Sequence, residues 1–398
     1  MPGQHATLSA SGAKRWMSCP PSARLEEKLH GIFGDKSSEV AEEGTLAHAL
    51  SELKLLREKG KLEDSDGINQ FNYEARRKAL GVVPRDMDAY TDYYVGIVIE
   101  KYMTARSITT DAKLFVEQRL DFSEWVPEGF GTGDAVIISD AGLEVCDLKY
   151  GKGVPVSAVE NPQARCYGLG AIAEFGDLYG FKHIRNTIIQ PRLDSVTEET
   201  LTREALLDWA EKELRPAAEL AWRGEGEYNP GDHCKFCAAR AICAARATKA
   251  MSIFTNGFDA PGVLPDENIP GILEVADLAV AWINDLKAYA LSQALRGQEW
   301  PGWKLVHGKR PGRKWKNEEE VKEQLIRAGY TSEQYEKTEM RSVTDIEKLL
   351  GKKAFDALVG PQVSQGEGKL ELAKNDDRRV DYASADADFG DLSASCDD

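Results

Sequence analysis

A chain of 398 residues with 42% hydrophobic and 29% charged side chains has the composition of an ordinary soluble globular protein, long enough for two domains or one domain with appendages. No run reaches the roughly eighteen apolar residues of a membrane helix, and the first residues lack a secretory-signal pattern, so a cytoplasmic location is the default expectation. The net charge of −16 excludes no partner: residues 381–398 hold six aspartates and no lysine or arginine, leaving −10 on the rest, a balance that bound metal ions and a local basic groove can offset at a polyanion.

Apolar Val40, Leu46, Ala47, Leu50 and Leu53 recur at helical spacing and predict a helix over residues 39–59. A second is expected over 88–105, ended by Arg106-Ser107. The pattern then turns to short β-rich runs at 113–120, 133–139 and 143–150, with Asp140-Ala141-Gly142 as a hairpin turn. Asn161-Pro162 opens a helix to about residue 175, an asparagine cap followed by proline at the first helical position. A strand over 182–190 and a helix over 198–222 follow. The order helix, β-meander, helix, strand, helix specifies an α/β fold with a mixed β-sheet flanked by helices.

Beyond Pro230-Gly231 comes a cysteine cluster. Residues 256–270, rich in Gly, Pro and Asp, read as a linker, followed by a helix over 272–295. Residues 300–380 are expected to form a small α+β module, and 381–398 a disordered acidic tail. The expected division is a domain over 1–253, a linker over 254–270, an accessory module over 271–380 and the tail.

Two constellations carry chemistry. In a strand, residues two apart share a face, so Asp147 and Lys149 project together while Cys146 and Leu148 point into apolar packing. Asp134, on the preceding strand, is expected to face Asp147 across the ladder. Two carboxylates that close repel unless a cation lies between them, and hard oxygen ligands favour Mg²⁺ or Mn²⁺. Lys149 beside them suits a water or a phosphate oxygen. A surface Asp–Lys ion pair would give the same Asp-x-Lys string. Gly131-x-Gly133 permits close backbone approach just before Asp134, and Gln163 and Tyr167 share one helix face above the strand ends. His48, within Gly44-Thr45-Leu46-Ala47-His48, is either a half-buried helix residue or a metal ligand.

The second constellation is Cys19 with Cys234, Cys237 and Cys243. Seven cysteines, an odd number, do not suit a secreted disulfide scaffold, and clustered thiols in a reducing compartment more often bind metal, with chance clustering in an alanine-rich helix as the alternative. Zinc, with His233 or Cys19 as fourth ligand, competes with iron–sulfur here. Cys146 and Cys166 read as core residues and Cys396 as part of the tail. Near the C-terminus, residues 308–316 pack five basic side chains beside Trp315, with Trp303 nearby, a mixture that suits single strands or phosphate backbones and equally a solvated loop.

The series Gly44-x-x-x-His48, Gly133-Asp134, Asp147-x-Lys149 and Gln163-x-x-x-Tyr167 resembles the RecB-type branch of the PD-(D/E)XK nucleases over roughly residues 11–247. The resemblance implies an αβββαβ core with His48, Asp134 and Asp147 as ligands of Mg²⁺ or Mn²⁺. It implies Lys149 as the residue orienting the water, with Gln163 and Tyr167 positioning DNA or bracing the site. Hydrolysis of this kind leaves a 5′-phosphate and a 3′-hydroxyl. Glu117 resembles an acidic position of some members and equally suits a solvated strand, so it stays outside the expected set.

In the iron–sulfur branch, which includes AddB-like helicase–nucleases and the CRISPR-adaptation nucleases, one cysteine precedes the nuclease core and three follow it. By that resemblance Cys19, Cys234, Cys237 and Cys243 hold a [4Fe–4S] cluster. The arrangement with its extra module is also similar to uncharacterised phage and prophage nuclease-like proteins. The expectation is a metal-dependent DNA exonuclease of phage DNA replication or recombination, with a helicase or single-strand-binding protein as partner. The alternatives are a non-catalytic DNA-binding or scaffolding protein on the same fold and a zinc-stabilised endonuclease.

Overall fold

The computed structural model describes residues 6–33, 39–63, 67–252 and 266–304, together with residues 306, 323, 326, 327, 351, 352 and 355. Two compact units divide the chain after Val306. The basic segment 308–316, the acidic tail with Cys396, and most of the expected linker and accessory module lie outside the described residues.

Two short helices, α1 (Ala13–Ser18) and α2 (Ser22–Phe33), precede α3 (Glu39–Glu63), α4 (Gln70–Ala79) and α5 (Arg85–Ile108). The meander follows as β1 (Lys113–Asp121), β2 (Phe130–Ser139) and β3 (Gly142–Leu148), then α6 (Pro162–Phe175), β4 (His183–Gln190) and β5 (Ser195–Thr202). The strands lie in sequence order in one sheet. All neighbours are antiparallel except β3 and β4, which run parallel and need the crossover that α6 supplies. A mixed sheet flanked by helices is therefore what the sequence pattern specified.

Helix α6 begins where its cap dictates. Asn161 Oδ1 accepts from the Gln163 and Ala164 amides at 3.0 and 3.2 Å, and Pro162 takes the first position, where no amide is needed. The helix rests directly on the sheet at Gly170, where a Cβ would stand 2.8 Å from Leu120 Cβ.

The expected helix over 198–222 is corrected at its start. Residues 198–202 belong to β5, which pairs with β4 along its whole length. Val196, Thr197, Thr200 and Thr202 are β-branched and favour the strand, and Glu199 turns to Arg165 on α6 at 2.6 Å. Thr202 then caps α7 (Arg203–Trp209), which passes through a π-helical turn at Ala210–Leu214 into α8 (Arg215–Arg223).

One core lies between the sheet and α6–α8, built around Trp16, Leu120, Val136, Val145 and Leu169. The other lies against α5, with Tyr94, Val98, Leu114, Ile137, Cys146 and Leu148. Lys54 of α3 is 2% exposed and ties the helices of this second layer together. Its ammonium donates to the Asp88 carbonyl at 2.8 Å, Thr91 Oγ1 at 2.9 Å and Asp92 Oδ1 at 2.6 Å. Lys54→Ala removes these charge-assisted bonds and leaves a void, so a loss of about 3 kcal/mol is expected in urea unfolding. A midpoint unchanged from wild type would contradict that assignment.

After the cysteine segment come α9 (Ala244–Met251) and α10 (Ile269–Ala294). Expected to open the accessory module, α10 instead makes its contacts within the first unit, with Trp282 Nε1 donating to the Ala241 carbonyl at 3.2 Å. Among the described residues no helix is long and apolar enough to cross a membrane.

Candidate functional site

The recorded β2–β3 pairing runs from Ser139↔Gly142 to Ala135↔Cys146. One step beyond, at Asp134, a side chain takes over from the ladder: Oδ2 accepts the Leu148 amide at 2.7 Å. The same register, continued one step, sets Asp134 opposite Asp147, and the Asp134 carboxylate is wedged between the strands. Asp134 Oδ1 faces His48 Nδ1 on α3 at 3.1 Å.

Asp147 and Lys149 meet as their spacing predicts, with Nζ 2.8 Å from Oδ2, while Cys146 and Leu148 lie in the α5-side core. Lys149 Nζ also donates to Gln163 Oε1 at 2.9 Å. Gln163 Nε2 donates to the Tyr167 hydroxyl at 3.1 Å and approaches Asp147 Oδ1 at 3.4 Å. Gly131 makes room for this corner: a Cβ there would stand 2.6 Å from the Tyr167 ring. Two networks thus hold the six residues at one end of the β2–β3 hairpin. His48 and Asp134 form one, and Asp147, Lys149, Gln163 and Tyr167 the other.

A seventh group joins them that sequence reasoning set aside. Glu117 sits in β1 with φ of 51°, a left-handed conformation that side chains other than glycine enter at a cost of about 1 kcal/mol. Leu114 packs on the α5 side and Leu120 on the α6 side, although an even separation would put them on one face of a regular strand. The alternation therefore inverts between them, where Glu117 lies. Ligand atoms of His48, Glu117 and Asp134 all lie within 4.8 Å of one another, a spacing able to hold a metal ion.

Burial and two neighbouring carboxylates set the electrostatics of this corner. Burial, and then the neighbouring Asp134 carboxylate, raise Glu117 to about 7. Burial also raises Asp147, with Lys149 working against it and Asp134 adding to it. Burial opposes charge on His48 and Lys149 as well, but Asp134 and Asp147 respectively outweigh it, so both stay above their ordinary values. Asp147 Oδ2 is buried and meets the Lys149 ammonium at 2.8 Å. Tyr94 on α5 is buried with an unpartnered hydroxyl, in the field of Asp134 and Asp147. Nothing in its sequence context separates it from the apolar residues of its helix.

The Glu117 shift has a signed consequence. A carboxyl raised from 4.5 to about 7 by folding adds stability that is present below pH about 4.5 and is lost as pH rises through about 7. Glu117→Gln carries no such charge. In metal-free buffer the variant is expected to melt near wild type at pH 5 and above it at pH 8. A difference that does not widen between those pH values would contradict the placement of Glu117.

The four cysteines singled out by spacing line one narrow cavity, together with His233 and Arg246. Cys19 comes from the end of α1, Cys234 and Cys237 from the 3₁₀ turn at Asp232–Phe236 and its end, and Cys243 from the start of α9. All are free thiols, and Cys19, Cys234 and Cys237 are buried. Burial raises Cys234 and brings Cys237 to about 11, which favours the protonated thiol. Among the described residues, no three donors of this cavity lie within 4.8 Å of one another. Cys146 and Cys166 are fully buried core residues, as expected.

The sequence profile of a family described as proteins of unknown function, DUF2800, matches residues 5–380. Two solved structures show partial similarity. One, from Eubacterium rectale and described as a candidate exonuclease, is 13% identical and covers 65% of this chain and 90% of its own, with a TM-score of 0.31. The other, SSO0001, is 15% identical and covers 57% of this chain and 95% of its own, with a TM-score of 0.23. Likeness at this level carries no argument about activity.

Proposed function

The chain belongs to the DUF2800 family of proteins of unknown function, and for this member we propose a Mg²⁺- or Mn²⁺-dependent nuclease that hydrolyses DNA from its ends. One observation carries the reading. Residues separated by up to 119 positions in sequence, His48 to Tyr167, converge at one end of a hairpin in hydrogen-bonded pairs that resemble a nuclease site.

The donor set fits a divalent cation. It offers hard carboxylate oxygens and one imidazole, with ligand atoms of His48, Glu117 and Asp134 within 4.8 Å of one another, and a Glu117 carboxyl that burial and Asp134 raise to about 7. His48, Asp134 and Asp147 would hold the ion, with Glu117 as the added ligand. Bound there, the cation supplies Lewis acidity toward a water and toward the scissile phosphate.

The chain's own residues do the rest. Lys149, held between Asp147 and Gln163, presents a fixed positive charge where an attacking water or a phosphate oxygen is met. Gln163 orients that ammonium, and the Tyr167 hydroxyl braces Gln163. His48 and Asp134 hold each other in place.

We assign the cysteine cavity to a [4Fe–4S] cluster. Four thiolates suit such a cluster, and its role here is structural: it ties α1 to the segment before α9 across more than two hundred residues. A setting in phage DNA replication or recombination, with a helicase or single-strand-binding partner, follows from the resemblance alone.

The test is incubation of the full chain with end-labelled linear DNA and covalently closed circular DNA, with each metal in turn. Loss of the linear substrate with survival of the circle is expected. Cutting of the circle replaces exonuclease by endonuclease, and survival of both overturns the reading.

A further inference from the structure

Two guanidinium groups stand in the wall of the cysteine cavity, and one of them is buried. Arg246 is 3% exposed. Its Nη1 donates to the Arg240 carbonyl at 2.7 Å and to Asp285 Oδ2 on α10 at 2.6 Å. Its Nε–H is buried without a partner. Arg240, also in the cavity wall, places Nε 3.2 Å from the other oxygen of the same aspartate. Two guanidinium groups therefore share one carboxylate. Arg15 and Glu26, which also act on Cys237, pair with each other.

The buried Arg246 therefore keeps an idle N–H donor in the cavity wall, which costs stability. His233 Nε2, in the same wall, is likewise without a partner. What would satisfy the cavity is an anion that accepts hydrogen bonds.

We propose that the group held by Cys19, Cys234, Cys237 and Cys243 is anionic as a whole, and that Arg246 is its built-in counter-ion, giving its Nε–H to the sulfur shell. The inference rests on the iron–sulfur reading. Four thiolates outweigh the positive charge of an iron–sulfur core, so the assembled centre is an anion. Its reduction potential depends on nearby charge and on hydrogen bonds to sulfur. A cation that also donates a hydrogen bond favours the more negative, reduced form and raises the potential. Arg246 is thus a positioning residue that also sets how tightly the centre holds an electron. Asp285, on the far side of the guanidinium, moderates that effect.

The experiment compares the full chain, purified without oxygen, with Arg246→Gln, Arg246→Lys and Asp285→Asn. Iron per chain, circular dichroism and the midpoint potential in a dithionite titration are measured for each. Arg246→Gln is expected to lose iron to a chelator several-fold faster and to shift the potential negative. Arg246→Lys keeps the charge and shifts it less. Asp285→Asn frees the guanidinium and shifts it positive. A merely structural arginine would lower iron content and leave the potential of the remaining centres unmoved.

Unmoved potentials in Arg246→Gln and Asp285→Asn, or shifts of the same sign in both, overturn the proposal. If Arg246→Gln does not fold, Arg246→Lys and Asp285→Asn decide between the same outcomes. An iron-free, colourless wild-type protein overturns the iron–sulfur reading itself, whereas a coloured one with unmoved potentials overturns only the role of Arg246.

Discussion

Asp147→Ala and Lys149→Ala are each expected to lower the initial rate of manganese-dependent DNA hydrolysis by about 10³-fold. Asp147 is 5% exposed, and its Oδ2 meets the Lys149 ammonium at 2.8 Å. Removing it takes away a ligand and the partner that holds Lys149 in place. It also removes a carboxylate that burial already disfavours, so the metal-free variant should melt no lower than wild type. Lys149→Ala acts differently. Asp147 loses its counter-charge, so its carboxyl is raised further and protonates more readily, which weakens metal binding as well as removing the ammonium. Its loss should therefore be partly recovered at higher pH and higher manganese, whereas that of Asp147→Ala should not. Rates within about tenfold of wild type in both variants would contradict the assignment of the site.

Cys19→Ala is expected to abolish iron retention and to lower stability by about 3 kcal/mol. A cross-link over so long a loop is worth on the order of 5 kcal/mol when nothing else restrains the chain. Here something does. Trp16, three residues earlier, is fully buried in the α6-side core and donates from Nε1 to the Ser9 carbonyl at 3.0 Å, so α1 stays partly anchored without the cluster. Activity per folded molecule should persist, because the cavity shares none of the residues assigned to catalysis. Denaturant midpoints and iron content measured on the same samples check this. An unchanged midpoint in an iron-free variant would show that the cavity does not clasp the chain.

These effects rest on residues of unequal legibility. Asp147-x-Lys149 could be read because strand periodicity puts both on one face whatever the surroundings. The start of α6 could be read because Asn161 and Pro162 act locally, through their own backbone. The cysteines could be read from spacing and a resemblance. Glu117 could not, since its place depends on a left-handed residue that inverts the strand's alternation, and no local pattern announces that. Strand β5 was misread because Glu198 and Glu199 resemble the first turn of a helix. Only the pairing with β4 and the Arg165–Glu199 contact show what they do. Tyr94 and Arg246 lay hidden for a related reason. Their interest comes from an unpartnered atom in a buried place, a property of the packed structure and not of the string.

The most direct measurement is hydrolysis of linear DNA by the full chain in manganese and ¹⁸O-water, with the products examined by mass spectrometry. Attack of water at the phosphate with departure of the 3′-oxygen predicts ¹⁸O on the new 5′-phosphate, in products that disappear with a chelator and in Asp147→Ala. Intact DNA, or label on a 3′-phosphate, would contradict the account.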